Sequence, residues 1–451
     1  MTKHMVRALG VGLLAVAAAC VETDRVLPQP PSLDAQLRQT LGQWGVVPIL
    51  PQAPQNPALV ALGQALFFDK ELSGNRDIAC ATCHTTANAM GDGRSLAVGT
   101  GGTGVGPGRT LGPGRQFIPR NAPTLLNVAL GLPYAFWDGR VSGFGGFFQS
   151  PADSALPAGL PNILAAQAMF PVTNRREMRG VPGDTDVFGK PNELAQYGDS
   201  QWTEMWRGVM LRLVAIPAYV AKFNAAFPGV AASQLEFRHA ATAIAAFETQ
   251  ALTKIDSPFD RYLRRDDNAM TEAEKRGALL FFGKATCSSC HNGPLIGTGG
   301  FVDVGVPQIG PGGATEPPRD LGRGDLAGNE FYRFAFRVAP LRNVELSAPY
   351  FHDGAYPTLE SVVSHYNDVR TSITTFDSMQ LAPDVRPTYH GDAATIAAVL
   401  DRLDFRLSQP LHLTVAERAD LVAFLKSLTD PSARNLSSLV PPSVPSGLPV
   451  Q

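Results

Sequence analysis

Gly63-Gln-Ala-Leu-Phe-Phe-Asp-Lys-Glu-Leu-Ser-Gly-Asn-Arg-Asp-Ile-Ala-Cys80-Ala-Thr-Cys83-His84 is echoed by Gly277-Ala-Leu-Leu-Phe-Phe-Gly-Lys-Ala-Thr-Cys287-Ser-Ser-Cys290-His291. Each stretch runs from an apolar helical segment into Cys-x-x-Cys-His. The spacing has a chemical reason. Two thiols three residues apart reach the two vinyl groups of one porphyrin, and the adjacent imidazole then faces the iron. A zinc ribbon would place its two cysteine pairs about 15–20 residues apart, whereas Cys83 and Cys287 are 204 apart. A redox Cys-x-x-Cys calls for a βαβ context, and no β-branched run precedes Ala79 or Thr286. The reading is two covalently attached c-type haems, one on Cys80, Cys83 and His84, the other on Cys287, Cys290 and His291.

A helix followed by Cys-x-x-Cys-His is the start of a cytochrome c-like domain. The fold expected is therefore mostly α, with two such domains, each binding one haem. Leu59, Leu62, Leu66 and Phe67 recur at helical spacing over Pro57–Asp69. Phe237, Ala241, Ile244, Ala245 and Phe247 do so over Leu235–Leu252. Thr271-Glu-Ala-Glu274 is a capping box that opens the helix before the second motif. Ala416–Leu428 reads as a closing amphipathic helix. Ser257-Pro258 marks the boundary, giving haem domains over 57–255 and 256–432. The Pro- and Gln-rich 21–56 reads as a linker and the Pro/Ser-rich 433–451 as a disordered tail. Thr100–Gly114 and Ser142–Pro161, rich in glycine and proline, read as loops, the first of them flexible.

The chain has 451 residues, 44 % of them hydrophobic, 44 Gly and 37 Pro. Charged residues make up 17 % and the net charge is −2, which argues against nucleic acid as a partner. Lys3 and Arg7 precede an apolar run from Ala8 to Ala19, too short to span a bilayer and typical of an export signal over 1–20. Small residues just before Cys20 leave two outcomes open: lipidation of Cys20, or cleavage that removes it. The expected location is the periplasm, with membrane attachment only through a lipid on Cys20. All four other cysteines lie in the haem motifs.

These segments resemble the diheme cytochrome c peroxidase/MauG family. The resemblance is carried by Leu62–Asp69, Arg120-Asn-Ala-Pro-Thr-Leu-Leu-Asn127, Phe136-Trp-Asp-Gly-Arg140, Phe170–Met178, Phe282–Pro294, Leu341–Gly354 and Leu421–Leu428. It implies that the N-terminal haem reacts with hydrogen peroxide and the C-terminal haem passes electrons. It implies catalytic roles for Glu177 and Gln167, which match the family's distal pair. A carboxylate there takes a proton from the near peroxide oxygen and returns it to the departing one; the amide holds peroxide by hydrogen bonds. Trp137 matches the family's tryptophan between the haems. Asn121, Ser347 and Pro349 match its interdomain calcium ligands, oxygen donors of the kind calcium takes. The partners implied are a small cytochrome c or cupredoxin donor, or else a protein substrate.

Two departures from the peroxidase pattern matter. Peroxidase members place a capping histidine soon after the first motif, yet no histidine occurs between His84 and His239. The first iron is therefore expected to be open without reductive activation. At the sixth-ligand position of the second haem, peroxidases use Met and MauG-type members Tyr; here Tyr366 matches, with His365 and Met379 as competitors. Axial-ligand identity is a lever on haem potential, and methionine raises it.

Overall fold

The computed structural model describes residues 1–2, 30–131, 133–144 and 146–450. The export signal expected over 1–20, with Cys20, lies outside them apart from its first two residues. The chain is mostly helical. In order, the helices are α1 (Leu33–Gln43), α2 (Pro57–Phe68), α3 (Cys80–Cys83), α4 (Ile163–Ala168), α5 (Trp202–Val214), α6 (Pro217–Ala226), α7 (Phe237–Leu252), α8 (Pro258–Leu263), α9 (Glu272–Phe282), α10 (Arg323–Ala327), α11 (Leu359–Asn367), α12 (Val369–Thr374), α13 (Ala393–Arg402) and α14 (Val415–Ser427). Strands β1 (Tyr134–Ala135), β2 (Val141–Phe144) and β3 (Phe147–Gln149) form a small antiparallel sheet in that order, and β4 (Phe301–Val302) pairs with β5 (Phe336–Arg337). Part of the expected loop 142–161 is thus strand, with Ser142 opposite Gln149.

The echo in the sequence has a packing cause. α2 opens with Pro57 behind the cap Asn56, whose side chain accepts from Ala58 N, and α9 opens with the Thr271/Glu274 capping box. Both helices then cross a partner at glycine. A Cβ on Gly63 would lie 1.9 Å from the carbonyl oxygen of Ala243 in α7, and one on Gly277 would lie 1.9 Å from that of Asp420 in α14. The helices touch backbone to backbone there. Phe67 and Phe68 lock onto Phe247 at ring separations of 5.4 and 6.3 Å; Phe281 and Phe282 lock onto Phe424 at 5.1 and 6.1 Å. Each pair of helices anchors one of two large apolar cores.

A second repeat joins the halves. Asn127 and Asn343 both sit in the left-handed region, at φ 62° and 64°. Each backbone N–H donates to the end of the closing helix, Leu252 O and Leu428 O, at 2.9 Å. Each side-chain amide donates to one shared acceptor, the carbonyl of Lys254, at 2.9 and 3.3 Å. A third core of residues 96–117 and 306–385 seals the seam between the halves.

Both chain ends differ from expectation. The segment 21–56 is not all linker: α1 lays Leu37 and Leu41 into the second core, and Trp44 Nε1 donates to Phe282 O at 3.1 Å. The tail 433–451, expected to be disordered, packs over 433–450 on the first core. Leu436 and Val444 are buried there, and Ser446 Oγ donates to buried Asp69 at 2.6 Å. Spaced apolar residues among the prolines suffice to dock an extended segment. Each terminus therefore clasps the half remote from it in sequence.

Candidate active site

Both Cys-x-x-Cys-His motifs open into one cavity of ≈ 1070 Å³, at the upper limit of the roughly 300–1,000 Å³ usual for a small-molecule site. Cys80, Cys83, His84, Cys287, Cys290 and His291 all line it. Among the described residues these thiols form no disulfide. His84 Nδ1 lies 2.9 Å from Met90 O and His291 Nδ1 lies 3.3 Å from Ile296 O. A proton placed on each Nδ1 leaves Nε2 free to ligate, the usual arrangement for a metal-bound imidazole. Burial lowers the pKa of both, to about 4 for His291, so the rings are neutral, as ligation requires. Four unpaired thiols, two neutral imidazoles and a large apolar cleft fit two covalently held haems.

Gln167, on α4, and Glu177 line the same cavity. Glu177 occupies a wide helical turn, Arg175–Arg179, whose first N–H groups are capped by Asn174. Thr100 N donates to the Glu177 carbonyl at 2.8 Å. Burial raises the Glu177 pKa, and Arg140, with Nη2 3.9 Å from Oε1, partly offsets that. The loop 100–114, expected to be flexible, is tied down. Buried Arg109 donates to Val98 O, Gly104 O and Gly99 O at 2.7 Å each, and Thr100 Oγ1 donates to Asp77 at 2.8 Å. One internal guanidinium supplies the order that a glycine-rich composition conceals.

On the second side, Tyr366 lines the cavity. Burial raises its phenol pKa, and the nearby Cys290 and Cys287 add to that. The two competitors stand differently. His365 is fully buried, with Nδ1 2.9 Å from Tyr356 Oη and Nε2 2.8 Å from Val304 O, so both nitrogens are engaged. Met379 is 64 % exposed and outside the cavity lining.

Trp137 lines the cavity at the seam. Its Nε1 donates to Asn121 O at 3.0 Å, and its carbonyl accepts from Arg337 N at 2.8 Å. Asn121 and Pro349 are brought together, Nδ2 to carbonyl at 3.3 Å, while the Ser347 hydroxyl turns to Val344 O. Gly139 lets the Trp137–Arg140 turn close: its φ is +69°, and a Cβ would sit 2.3 Å from the Phe301 ring.

Three groups escaped the sequence reading. Arg140 lay inside a quoted segment without a role. Arg120 joins the halves, donating to Asp138 at 2.5 Å and to both oxygens of Asp320 at 2.7 and 2.9 Å. Glu248 is a lone acid four residues beyond Ile244, on the apolar side of α7; that interruption was its signal.

Known proteins resemble the chain along most of its length. The family model described as di-haem cytochrome c peroxidase matches residues 57–268. The chain is 31 % identical to the methylamine utilization protein MauG of Methylorubrum extorquens, over 86 % of this chain and 82 % of that protein. It is also 31 % identical to the cytochrome c551 peroxidase of Pseudomonas aeruginosa, over 83 % of this chain and 87 % of the other. Among solved structures, a MauG-like protein associated with microbial copper homeostasis matches with a TM-score of 0.58 at 26 % identity, covering 89 % of this chain and 97 % of that one.

Proposed function

The chain belongs to the di-haem cytochrome c peroxidase family, and from that premise we propose that it reduces hydrogen peroxide to water at the His84 site. Electrons arrive through the His291 site from a small cytochrome c or cupredoxin. The observation that carries this reading is Glu177: a largely covered carboxyl of raised pKa that lines the cavity holding the first haem motif, as Gln167 does.

The haems would be held by Cys80, Cys83 and His84, and by Cys287, Cys290 and His291; bound, they supply the two electrons that peroxide needs. Glu177 takes the proton from the near peroxide oxygen and delivers it to the far one, which leaves as water. Gln167 orients the peroxide. Arg140 favours the carboxylate between turnovers. Trp137, between the motifs, relays the oxidising equivalents. The absence of a histidine from 85 to 238, and the loop fixed by Arg109, support a first iron that is open at rest. Electron paramagnetic resonance of the oxidised holoprotein tests this: a high-spin signal is expected, and its absence overturns the open site. For the chemistry, Glu177→Gln is expected to slow the reaction with peroxide about 10²–10⁴-fold in stopped-flow mixing; an unchanged rate removes Glu177 from the mechanism.

A second reading sends the oxidising equivalents to a Trp or Tyr of a partner protein, as in a MauG-like enzyme. Tyr366 favours it, since His365 is engaged and Met379 is remote, and a phenolate ligand suits a site that stores oxidising equivalents more than one that accepts electrons. Turnover of reduced cytochrome c with peroxide separates the two: rapid turnover favours detoxification, and stable storage of both equivalents favours a protein substrate. Interdomain calcium is a further part of the reading. It needs the Asn121 amide rotated so that Oδ1 joins the Pro349 and Ser347 oxygens, and removal by a chelator should loosen the seam. The proposed location is the periplasm, with any membrane attachment made through a lipid on Cys20 if that cysteine is retained.

A further inference from the structure

The helix crossings behind the two haem motifs are built alike, but they carry different side chains at one position that lines the shared cavity. Superimposing the helix crossings pairs Ala243 with Asp420 and Phe247 with Phe424, so the next residues, Glu248 and Leu425, correspond. Both line the cavity. In the second half the position is a hydrocarbon; in the first it is a carboxyl, 4 % exposed and close enough to Cys80 to influence that thiol.

Nothing among the described residues compensates this carboxyl. α2, α4 and Val128–Leu130, which pack on α7, contain no ionisable side chain. On α5, Arg212 is committed to Glu193 and to the backbone around Ser73, and Glu204 and Arg207 leave Glu248 unperturbed. On α7 itself, Arg238 pairs with Glu236 and His239 bonds back to Glu236. α3 offers only Cys80 and Cys83, neutral as thiols or thioethers, and His84 is neutral. A buried carboxyl with no counter-charge stays protonated until positive charge builds up beside it.

We propose that Glu248 is the proton-exchanging group of the first haem site, making that haem's reduction potential depend on pH while the second, lined by Leu425, lacks this dependence. When the site gives up one electron to an acceptor, Glu248 gives up one proton to solvent; when an electron returns, Glu248 takes a proton back. Net charge in the cavity then stays constant, and the apolar surroundings oppose neither step. Burial alone raises the Glu248 pKa to about 8, which places the exchange near neutrality.

The test is spectroelectrochemistry of the holoprotein across a pH series, wild type against Glu248→Gln and Glu248→Leu. In the wild type, the first potential should fall as pH rises through the region around pH 8. In both variants that slope should be lost, with the second haem unaffected. A flat wild-type potential, or a slope that survives Glu248→Gln, overturns the proposal. Gln is isosteric, so the test stands if the Leu variant fails to fold. Oxidised-minus-reduced infrared spectra add a direct reading: a protonated-carboxyl band should bleach on oxidation and be missing in Glu248→Gln. The inference rests on haem occupancy and not on peroxide turnover, so failure of the peroxidase reading would leave these readouts intact.

Discussion

If Glu177 is the base proposed above, Arg140 bears on how much of it is ionised. Burial pushes the Glu177 carboxyl up, and Arg140 is the first opposing influence. A general base works in its ionised form, so the rate of reaction with peroxide should rise with pH through the Glu177 pKa, and the acid limb should lie above that of an ordinary carboxylate. In Arg140→Gln the larger opposing charge is gone, leaving burial and Asp138 to raise the carboxyl against Arg120 only. The acid limb is then expected to move to higher pH, with the rate at high pH less affected than the rate at low pH. Stopped-flow rates over a pH series check this, and a limb that stays in place or moves down removes Arg140 from the site's electrostatics. Tyr366 makes a separate expectation. Tyr366→Phe should change the low-spin haem spectrum of the second site; an unchanged spectrum rules out Tyr366 as its ligand.

At the scale of helices, the Gly-x-x-Leu-Phe-Phe echo predicts two equivalent weak points. Gly277→Ala places a methyl 1.9 Å from the Asp420 carbonyl, so α9 and α14 must separate. The expected cost is about 1–3 kcal/mol, typical of overpacking, read as a lower denaturant midpoint. Gly63→Ala should cost about the same by the same mechanism against Ala243, and a neutral result at either position would mean that the crossing relaxes freely. This echo was legible because it is local: an apolar period, a cap and a glycine lie within a dozen residues. Such regularity foretold the helices over 57–68, 237–252, 272–282 and 415–427 and the six haem-motif side chains that meet in the cavity. Long-range satisfaction was not legible. Nothing near Arg109 announces its three carbonyl acceptors, Val98, Gly99 and Gly104, and nothing in Pro-Ser-Val-Pro-Ser446 announces Asp69 as a partner. Asn127 and Asn343 look ordinary until their shared acceptor, Lys254 O, is seen. Distal roles for Gln167 and Glu177 came from resemblance, since spacing alone does not distinguish a cavity-facing acid from a solvated one.

Across the whole molecule, the halves are held by a buried charge cluster and by crossed termini, and the two respond differently to challenge. Arg120 lies between Asp138 of the first half and Asp320 of the second; despite burial, Arg140 and then Arg120 hold the Asp138 carboxyl below the usual range, and Arg120 holds that of Asp320 there. Carboxyls depressed in the folded state contribute stability that is present above their unfolded pKa, near 4, and lost as pH falls through the folded values. Arg120→Ala retains Arg140 beside Asp138 but leaves Asp320 buried without its cation. The expected loss is about 3–5 kcal/mol at neutral pH, as for other broken buried pairs. The sign then reverses with acid. In the variant, Asp320 is raised instead of lowered, so protonation relieves it, and the gap to wild type should narrow as pH falls. The tail offers the contrast. Leu436, 2 % exposed against the first core, is apolar, so Leu436→Ala should cost about 2–5 kcal/mol with little dependence on pH. Thermal unfolding of both holoprotein variants from neutral to acid pH checks the pair. Parallel curves for Arg120→Ala and wild type would show that the seam is held by packing and not by the charges, because only a stranded carboxylate can be rescued by a proton.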